Sequence, residues 1–370
     1  MGKNVTHFII GLGKGGAETM LYQLLKYRVD PELTHRVITL GASRYYEQPI
    51  RDLGIELFEL DLRRRPFMSL LRLPGLMKGS DTLCCWMYHA NLLGYLAGRM
   101  AGIKKIVWTV HHSNLDPDKN SAITLRINKI CAHISKNVSE IIYTGMRARK
   151  IHENVGYARA RGHVINNGCD CCDYAPDSSA KASLCKELGI PTDRRIVLSV
   201  TKNTPIKDVP TFFQAYSKLR ESVQDAVAVL CGQGIDETSE NIAELCRQFS
   251  LTPGRDLHLI GMRHDVPRLM AACDLYVLHS AGEAFPVTLV QAMASGCLCV
   301  TTDVGDAKRI LAQDECVVMP GNPDVLAEKM KDLMSLSGEQ VAMLSVKNRE
   351  RAQEQFEIRK VVCDYEAFFR

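Results

Sequence analysis

The 370-residue sequence predicts an α/β protein made of two doubly wound parallel sheets, one in each domain. Three observations carry that prediction. Short apolar runs alternate with segments of helical periodicity from end to end. The alternation lapses once, in the turn-rich stretch "NNGCDCCDYAPDSSAK" at 166–181. Charge divides near the same point: residues 1–168 hold 24 Lys and Arg against 13 Asp and Glu, and the remainder holds 22 against 29. The expected organisation is an N-terminal domain over 1–168 and a C-terminal domain over 169–350. A last helix over 351–370 is expected to pack back toward the first domain.

In the first half the strand candidates are Val5–Ile10, Arg36–Leu40, Thr82–Trp86, Ile106–Val110, Glu140–Tyr143 and His163–Ile165. Helix candidates between them include Ala17–Arg28, with Ala17, Leu21, Leu24 and Arg28 on one face, and Asn91–Ala101. The second half repeats the pattern. Its strands are Arg195–Val200, Val227–Cys231, Leu257–Ile260, Leu275–Leu278, Leu298–Thr301 and Cys316–Met319. Its helices fall near Val209–Arg220, Glu240–Phe249, Val266–Ala272, Pro286–Ala294 and Val325–Leu336. Sheets of this kind bind ligands beyond the carboxyl ends of their strands, and two in series leave a cleft in which to do so.

Composition narrows the class. Hydrophobic residues make up 46% and charged residues 24%, as in ordinary globular proteins. No apolar run reaches the ~18–20 residues that span a bilayer. The start "MGKNVTHFII" runs into a strand without a leader-like pattern, so a cytoplasmic protein is expected. The 14 cysteines agree, since pairs such as Cys84-Cys85 and Cys297-x-Cys299 sit in apolar strands as small hydrophobes. Cys169-x-Cys171-Cys172 has no second Cys/His pair at ligand spacing, and Asp116-x-Asp118 lies in a polar loop, so no metal is expected.

The first candidate site is "GLGKGGAE", Gly11 to Glu18, between the first strand and first helix. It contains G-x-G-x-x-G, the dinucleotide fingerprint. That fingerprint needs an acidic residue ending the second strand, where this chain has Leu40-Gly41-Ala42-Ser43. Nicotinamide and flavin are therefore not expected. What remains is a glycine pair, Gly15 and Gly16, whose backbone N–H groups at a helix start suit an anion. Close packing alone is the other use of such a pair.

The second half holds "HSAGEAFPVTLVQAMASGCLCVTTDVGD", His279–Asp306. Its pattern is strand end, loop, a helix beginning at Pro286, a turn at Gly296 and another strand. Glu283 lies in the loop above the strand's carboxyl end, and Gln291 follows eight residues later inside the helix. The N–H groups of Val287 and Thr288 leave the first turn ready for phosphate. In "VTKNTPIKDVPTF", Lys202 and Lys207 flank another strand-to-helix turn, where two ammonium groups suit a diphosphate.

Together these elements resemble the retaining glycosyltransferases of family 4, of the GT-B fold, along nearly the whole chain. "GGAE" resembles the family's glycine loop. "YHANLLGYLAGRMAG" followed by "VWTVHH" resembles its acceptor-side segment and histidine strand. "INNGCD" is similar to the interdomain "PNGxD", and "TKNTPIKD" to "GRxxPxKD". "LIGMRHDVPRLMAACDLYVLHSAGEAFP" resembles its C-terminal block. The family signature is two glutamates with seven residues between them. Glu283 matches the first, whereas Gln291 replaces the second, which in the family binds the nucleotide ribose. Lys202 replaces an arginine and Thr201 a glycine.

The resemblance implies two Rossmann-like domains facing across a cleft. It implies retaining hexosyl or N-acetylhexosaminyl transfer from a nucleotide sugar, with a UDP-sugar favoured and neither cofactor nor metal required. Glu283, His111, Lys202 and Lys207 are the implied catalytic residues, with His112 as second choice to His111. Gly15, Gly16, Phe285, Val287, Thr288, Gln291 and Arg263 are the implied donor-binding residues. Relatives build cell-surface polysaccharide or lipopolysaccharide on lipid carriers, so the acceptor is a glycan or lipid-linked glycan. In "LRRRPFMSLLRLPGLMKGS", Arg63, Arg64, Arg65 and Arg72 alternate with apolar residues and no acid. That suits an anionic bilayer, placing the protein peripherally on the cytoplasmic face of the inner membrane. Nucleic acid is not expected, because no reading module accompanies the charge. A sugar-nucleotide epimerase on the same fold, or a non-catalytic nucleotide-sugar-binding subunit, are the alternatives.

Overall fold

The computed structural model describes residues 2–41, 44–62, 64–117 and 120–370. The chain divides into two compact units: Met1–Gly168 together with Ile358–Arg370, and Cys169–Glu357.

The first unit is built on β1 (Lys3–Ile9), β2 (Leu33–Thr39), β3 (Glu56–Glu59), β4 (Thr82–Trp86), β5 (Lys105–Val110), β6 (Glu140–Tyr143) and β7 (Gly162–Val164). Their order is β3-β2-β1-β4-β5-β6-β7, and every pairing is parallel. Six strands were expected here and seven are present among the described residues. The seventh, β3, is an edge strand "ELFE" whose glutamates interrupt any apolar run.

Because successive side chains of a strand point to opposite faces, each strand feeds two cores. Val5, Ile9, Cys84 and Trp86 pack on one side, and Phe8, Leu83 and Cys85 on the other. Right-handed crossovers then fix which helices cover which face. Helix Gly16–Lys26 and residues from 358 onward cover the first. Helices Pro66–Met77, Tyr88–Met100 and Ala122–Ile134 cover the second, through Leu73, Met77, Ala97 and Cys131. The first helix ends before Arg28, which instead donates to the carbonyls of Leu25 and Leu53.

The chain ends in two helices, Gly338–Phe356 and Ile358–Ala367, interrupted at Glu357. The helix expected over 351–370 is thus two, and only residues 358–370 belong to the first unit. There Tyr365 stacks on Trp86 at 6.0 Å and Phe369 meets His7 edge-on at 5.5 Å. Glu366 accepts from the N–H groups of Val29 and Asp30, each at 3.0 Å, and Arg370 pairs with Asp30 at 2.7 Å. A Cβ on Gly168 would lie 2.9 Å from the Ile358 Cα, so only glycine fits at the crossing.

The second unit contains β8 (Arg195–Val200), β9 (Ala226–Cys231), β10 (Leu257–Leu259), β11 (Leu275–Leu278), β12 (Leu298–Thr302) and β13 (Val317–Val318). Their order is β10-β9-β8-β11-β12-β13, again all parallel. Strand order reverses between β8 and β11, which makes that the switch point where a ligand crevice opens. Two glycines let the surrounding loops approach. Gly232 has φ +143°, and a Cβ there would collide with the Thr201 carbonyl. Gly305 has φ +54°, and its Cβ would lie 2.7 Å from the Glu283 carbonyl and 2.6 Å from that of Ala284.

Several histidines are buried in the neutral form. His35 and His152 in the first unit and His279 in the second are each lowered to about 4, chiefly by burial. Below pH ~6.5 the unfolded chain binds protons that the folded chain refuses. Their contribution is therefore full above that pH and disappears as pH falls toward 4. Urea titrations from pH 7 to pH 4 should show a loss on the order of a few kcal/mol in that window, reduced in His152→Asn. Gly305→Ala should lower stability by about 2 kcal/mol or more, from strain at positive φ plus collision with the neighbouring loop. Thermal melting of the variant checks this.

Candidate active site

In the second unit, the loops after β8 and β11 meet at the switch point. Pro205–Lys207 forms a short 3-10 turn whose Ile206 carbonyl accepts from the N–H groups of Ala281 and Gly282, at 2.9 and 3.2 Å. Gly282 allows this close approach, since a Cβ there would press on the Ile206 side chain at 3.0 Å. This stitching brings Lys207 Nζ to within 2.5 Å of Glu283 Oε1. Their side chains are only 25% and 13% exposed, so neither charge is left to water alone. Ser280 Oγ donates to the same carboxylate oxygen at 2.7 Å, and Thr302 Oγ1 fixes the Ser280 carbonyl at 2.7 Å.

Sequence reasoning missed the residues that hold this turn. Asp208, directly after Lys207, has the left-handed φ of +49°, a strained conformation for a residue with a Cβ. Buried His279 donates from Nδ1 to the Asp208 carbonyl at 3.1 Å, while its Nε2 meets Ser199 Oγ at 2.9 Å. Asp208 also accepts from Thr211 Oγ1 at 2.7 Å. The one available signal was a histidine directly after β11, which polarity alone does not distinguish from a surface residue.

Other expected residues fall as follows. Lys202 is exposed on the same loop as Lys207. Val287 and Thr288 open the helix Val287–Ala294, and Pro286 is its N-cap and not its first residue. Gln291 is half-buried within that helix, and its side-chain amide forms no hydrogen bond among the described residues. Phe285 is buried, with its ring edge-on to Phe356 at 5.8 Å. The Arg263 guanidinium is committed elsewhere. It forks onto Asp265 at 2.8 and 2.9 Å and reaches Glu187 at 2.6 Å.

The corresponding region of the first unit holds Gly15, Gly16 and His111. Gly15 is the N-cap of helix Gly16–Lys26, and a Cβ there would collide with the Glu18 carboxylate. That carboxylate already sits at the helix start and complements its dipole. Gly16 has open space beside it. His111 follows β5, and its ring lies 5.3 Å from that of Trp86. Both ring nitrogens are buried without a hydrogen-bond partner among the described residues. Burial lowers it to about 3, so the ring is neutral at ordinary pH. His112 Nε2 pairs with Asn120 Oδ1 at 3.1 Å. Near His111, Met87 adopts φ +73°, a second strained residue at a switch point, and its Sδ accepts from the His111 N–H at 3.3 Å.

Among the described residues no three of His, Cys, Asp and Glu gather as a metal cluster, and no helix is long and apolar enough to cross a membrane. Arg63 and Asp118 lie outside the described residues. Arg64, Arg65 and Arg72 are exposed and line a cavity of about 310 Å³ with Glu59 and Asp61. Both acids in its wall already face arginines: Glu59 faces Arg44 and Arg51, and Asp61 faces Arg64.

Residues 14–172 match the model of Glycosyltransferase Family 4, and residues 181–354 match that of Glycosyl transferases group 1. The chain is 24% identical over 355 residues to N-acetyl-alpha-D-glucosaminyl L-malate synthase of Bacillus anthracis, covering 92% of this chain and 85% of the relative. It is 25% identical over 308 residues to the Campylobacter jejuni enzyme named N,N'-diacetylbacillosaminyl-diphospho-undecaprenol alpha-1,3-N-acetylgalactosaminyltransferase, covering 79% of each. The fold matches that of Anabaena HepE, solved in complex with UDP, with TM-score 0.86, 20% identity and 98% coverage of both chains. With the two family halves in series, and a GT-B neighbour matched over nearly its whole length, the chain belongs to the GT-B glycosyltransferases of family 4.

Proposed function

We propose that this glycosyltransferase moves a hexosyl or N-acetylhexosaminyl group from a UDP-sugar to a lipid-diphosphate-linked glycan in cell-envelope polysaccharide synthesis. We propose further that it works with retention of configuration, without a divalent cation, at the cytoplasmic face of the membrane. The observation that carries this is the Lys207–Glu283 pair, held at the switch point of the second sheet. A UDP donor is supported by the likeness to HepE, and a lipid-diphosphate acceptor by the name of the Campylobacter relative.

The chemistry follows from charge. As the bond between the anomeric carbon and the diphosphate oxygen breaks, negative charge grows on the leaving diphosphate. Lys202, Lys207 and the N–H groups of Val287 and Thr288 answer it, which leaves a metal ion no necessary part. A diphosphate competes with Glu283 for the Lys207 ammonium, and the carboxylate accepts from sugar hydroxyls alongside Ser280. The acceptor hydroxyl attacks from the face that the diphosphate leaves, forming the new C–O bond. Its proton passes to the departing phosphate oxygen, and configuration is retained. Gln291 meets ribose hydroxyls through a neutral amide, where a carboxylate would accept more strongly.

Glu283→Ala should lower kcat/KM for transfer by roughly 10²-fold or more with melting unchanged; undiminished transfer would overturn the assignment. Gln291→Glu should lower the KM for the UDP-sugar, and an unchanged KM removes Gln291 from the ribose site. Turnover should survive excess chelator. Proton NMR of the product should show the donor's anomeric configuration.

A further inference from the structure

We infer that the three helices covering one face of the first sheet form a single docking surface for an anionic phospholipid bilayer. The inference extends the membrane contact of the proposed function from one arginine-rich segment to a whole face, and rests on that reading. Helix Tyr88–Met100 packs against both Pro66–Met77 and Ala122–Ile134, so the three lie side by side. Their inner sides enter one core through Leu73, Ala97 and Cys131.

The outer sides are unusual in two independent ways. First, they expose large apolar side chains: Phe67 is 82% exposed, Leu71 75%, Met100 77% and Ile123 65%, with Leu96 and Ile130 about half exposed. Scattered single residues of this kind need no explanation, but a set spread over three adjacent helices marks an interaction surface. Second, none of the three helices contains Asp or Glu. Residues 62–139 carry twelve Lys and Arg against three Asp. Arg72, Arg99, Arg126 and Lys129 are exposed and form no ion pair among the described residues. Protein surfaces ordinarily mix both signs.

That combination selects its occupant. A protein partner of acidic character would satisfy the charges, yet would leave the apolar residues scattered between them without a matching core. An anionic bilayer offers both: phosphate headgroups at the level of the guanidinium and ammonium groups, and acyl chains just beneath for Phe67, Leu71 and Met100. Met100 and Ile123 lie on separate helices, so the face contacts the membrane flat and not by one edge. The arginine-lined cavity beside helix Pro66–Met77 is then at the headgroup level.

The test is vesicle co-sedimentation of the full chain with mixed phosphatidylglycerol and phosphatidylcholine vesicles, at low and high salt. Two double variants away from the arginine-rich segment are compared with wild type: Arg126→Glu/Lys129→Glu and Leu96→Ser/Met100→Ser. The charge variant should bind anionic vesicles at least about 10-fold more weakly, since each basic residue at the surface contributes about fivefold. The apolar variant should bind several-fold more weakly even at high salt, where charge is screened. Both should keep wild-type melting and wild-type turnover on a water-soluble short-chain acceptor. Wild-type vesicle binding by both variants overturns the surface. So does a wild-type dimer, seen by analytical ultracentrifugation, that the apolar variant dissociates, because the face would then be covered by a second copy. If vesicles bind as expected but no lipid-diphosphate acceptor is used, the surface stands and the acceptor reading fails.

Discussion

The parallel pairing of every strand, joined by right-handed crossovers, is the constraint on which the rest of this structure depends. In each unit it sends all strand ends, and the loops following them, to one edge of the sheet. Strands buried on both faces keep their side chains within the core, so the chemistry collects in those loops. Reversal of strand order between β8 and β11 separates two helices that would otherwise crowd that edge. Lys207 and Glu283 come from the loops on either side of that reversal. The same crossover rule gathers three helices on one face of the first sheet, with consequences for what that face can touch.

A preorganised charge pair is costly to hold, and the structure shows where the support lies. The Asp208 backbone is strained, and its carbonyl is fixed by a neutral, buried His279 that bonds back to β8. Ile206 spends its carbonyl on two N–H groups of the opposite loop. Gly282 and Gly305 remove the side chains that would hold those loops apart. The lysine–glutamate pair is therefore the visible end of a network that reaches into the sheet.

Much of this was legible in the sequence. Thr82–Trp86, Glu140–Tyr143, Arg195–Val200 and Leu275–Leu278 agree with the structure to the residue, because continuous apolar runs mark central parallel strands. Edge strand β3 was not legible, since an edge needs no such run. Glu283 and Lys207 stood out as charged residues at strand-to-helix turns, and the structure brings them together. Arg263 was expected at the donor from the resemblance alone, and its ion pairs with Asp265 and Glu187, the latter distant in sequence, were not legible. Phe285 has the same history: only the position of Phe356 shows that its ring is core. Local pattern identifies which residues could act, and long-range contacts decide which are free to.

The chain enters the second unit at Cys169 and leaves it at Glu357, and these two residues bridge side by side. The second unit is thus inserted within the first, whose last thirteen residues supply Tyr365 and Phe369 to its core. Closing the first unit's core around His7 and Trp86 therefore joins two segments separated by the whole of the second unit. That closure costs more chain entropy while the insert is unfolded than once it has folded, with its entry and exit already side by side at Cys169 and Glu357. Folding of the insert thus lowers the entropic cost of seating the last helix on the first sheet.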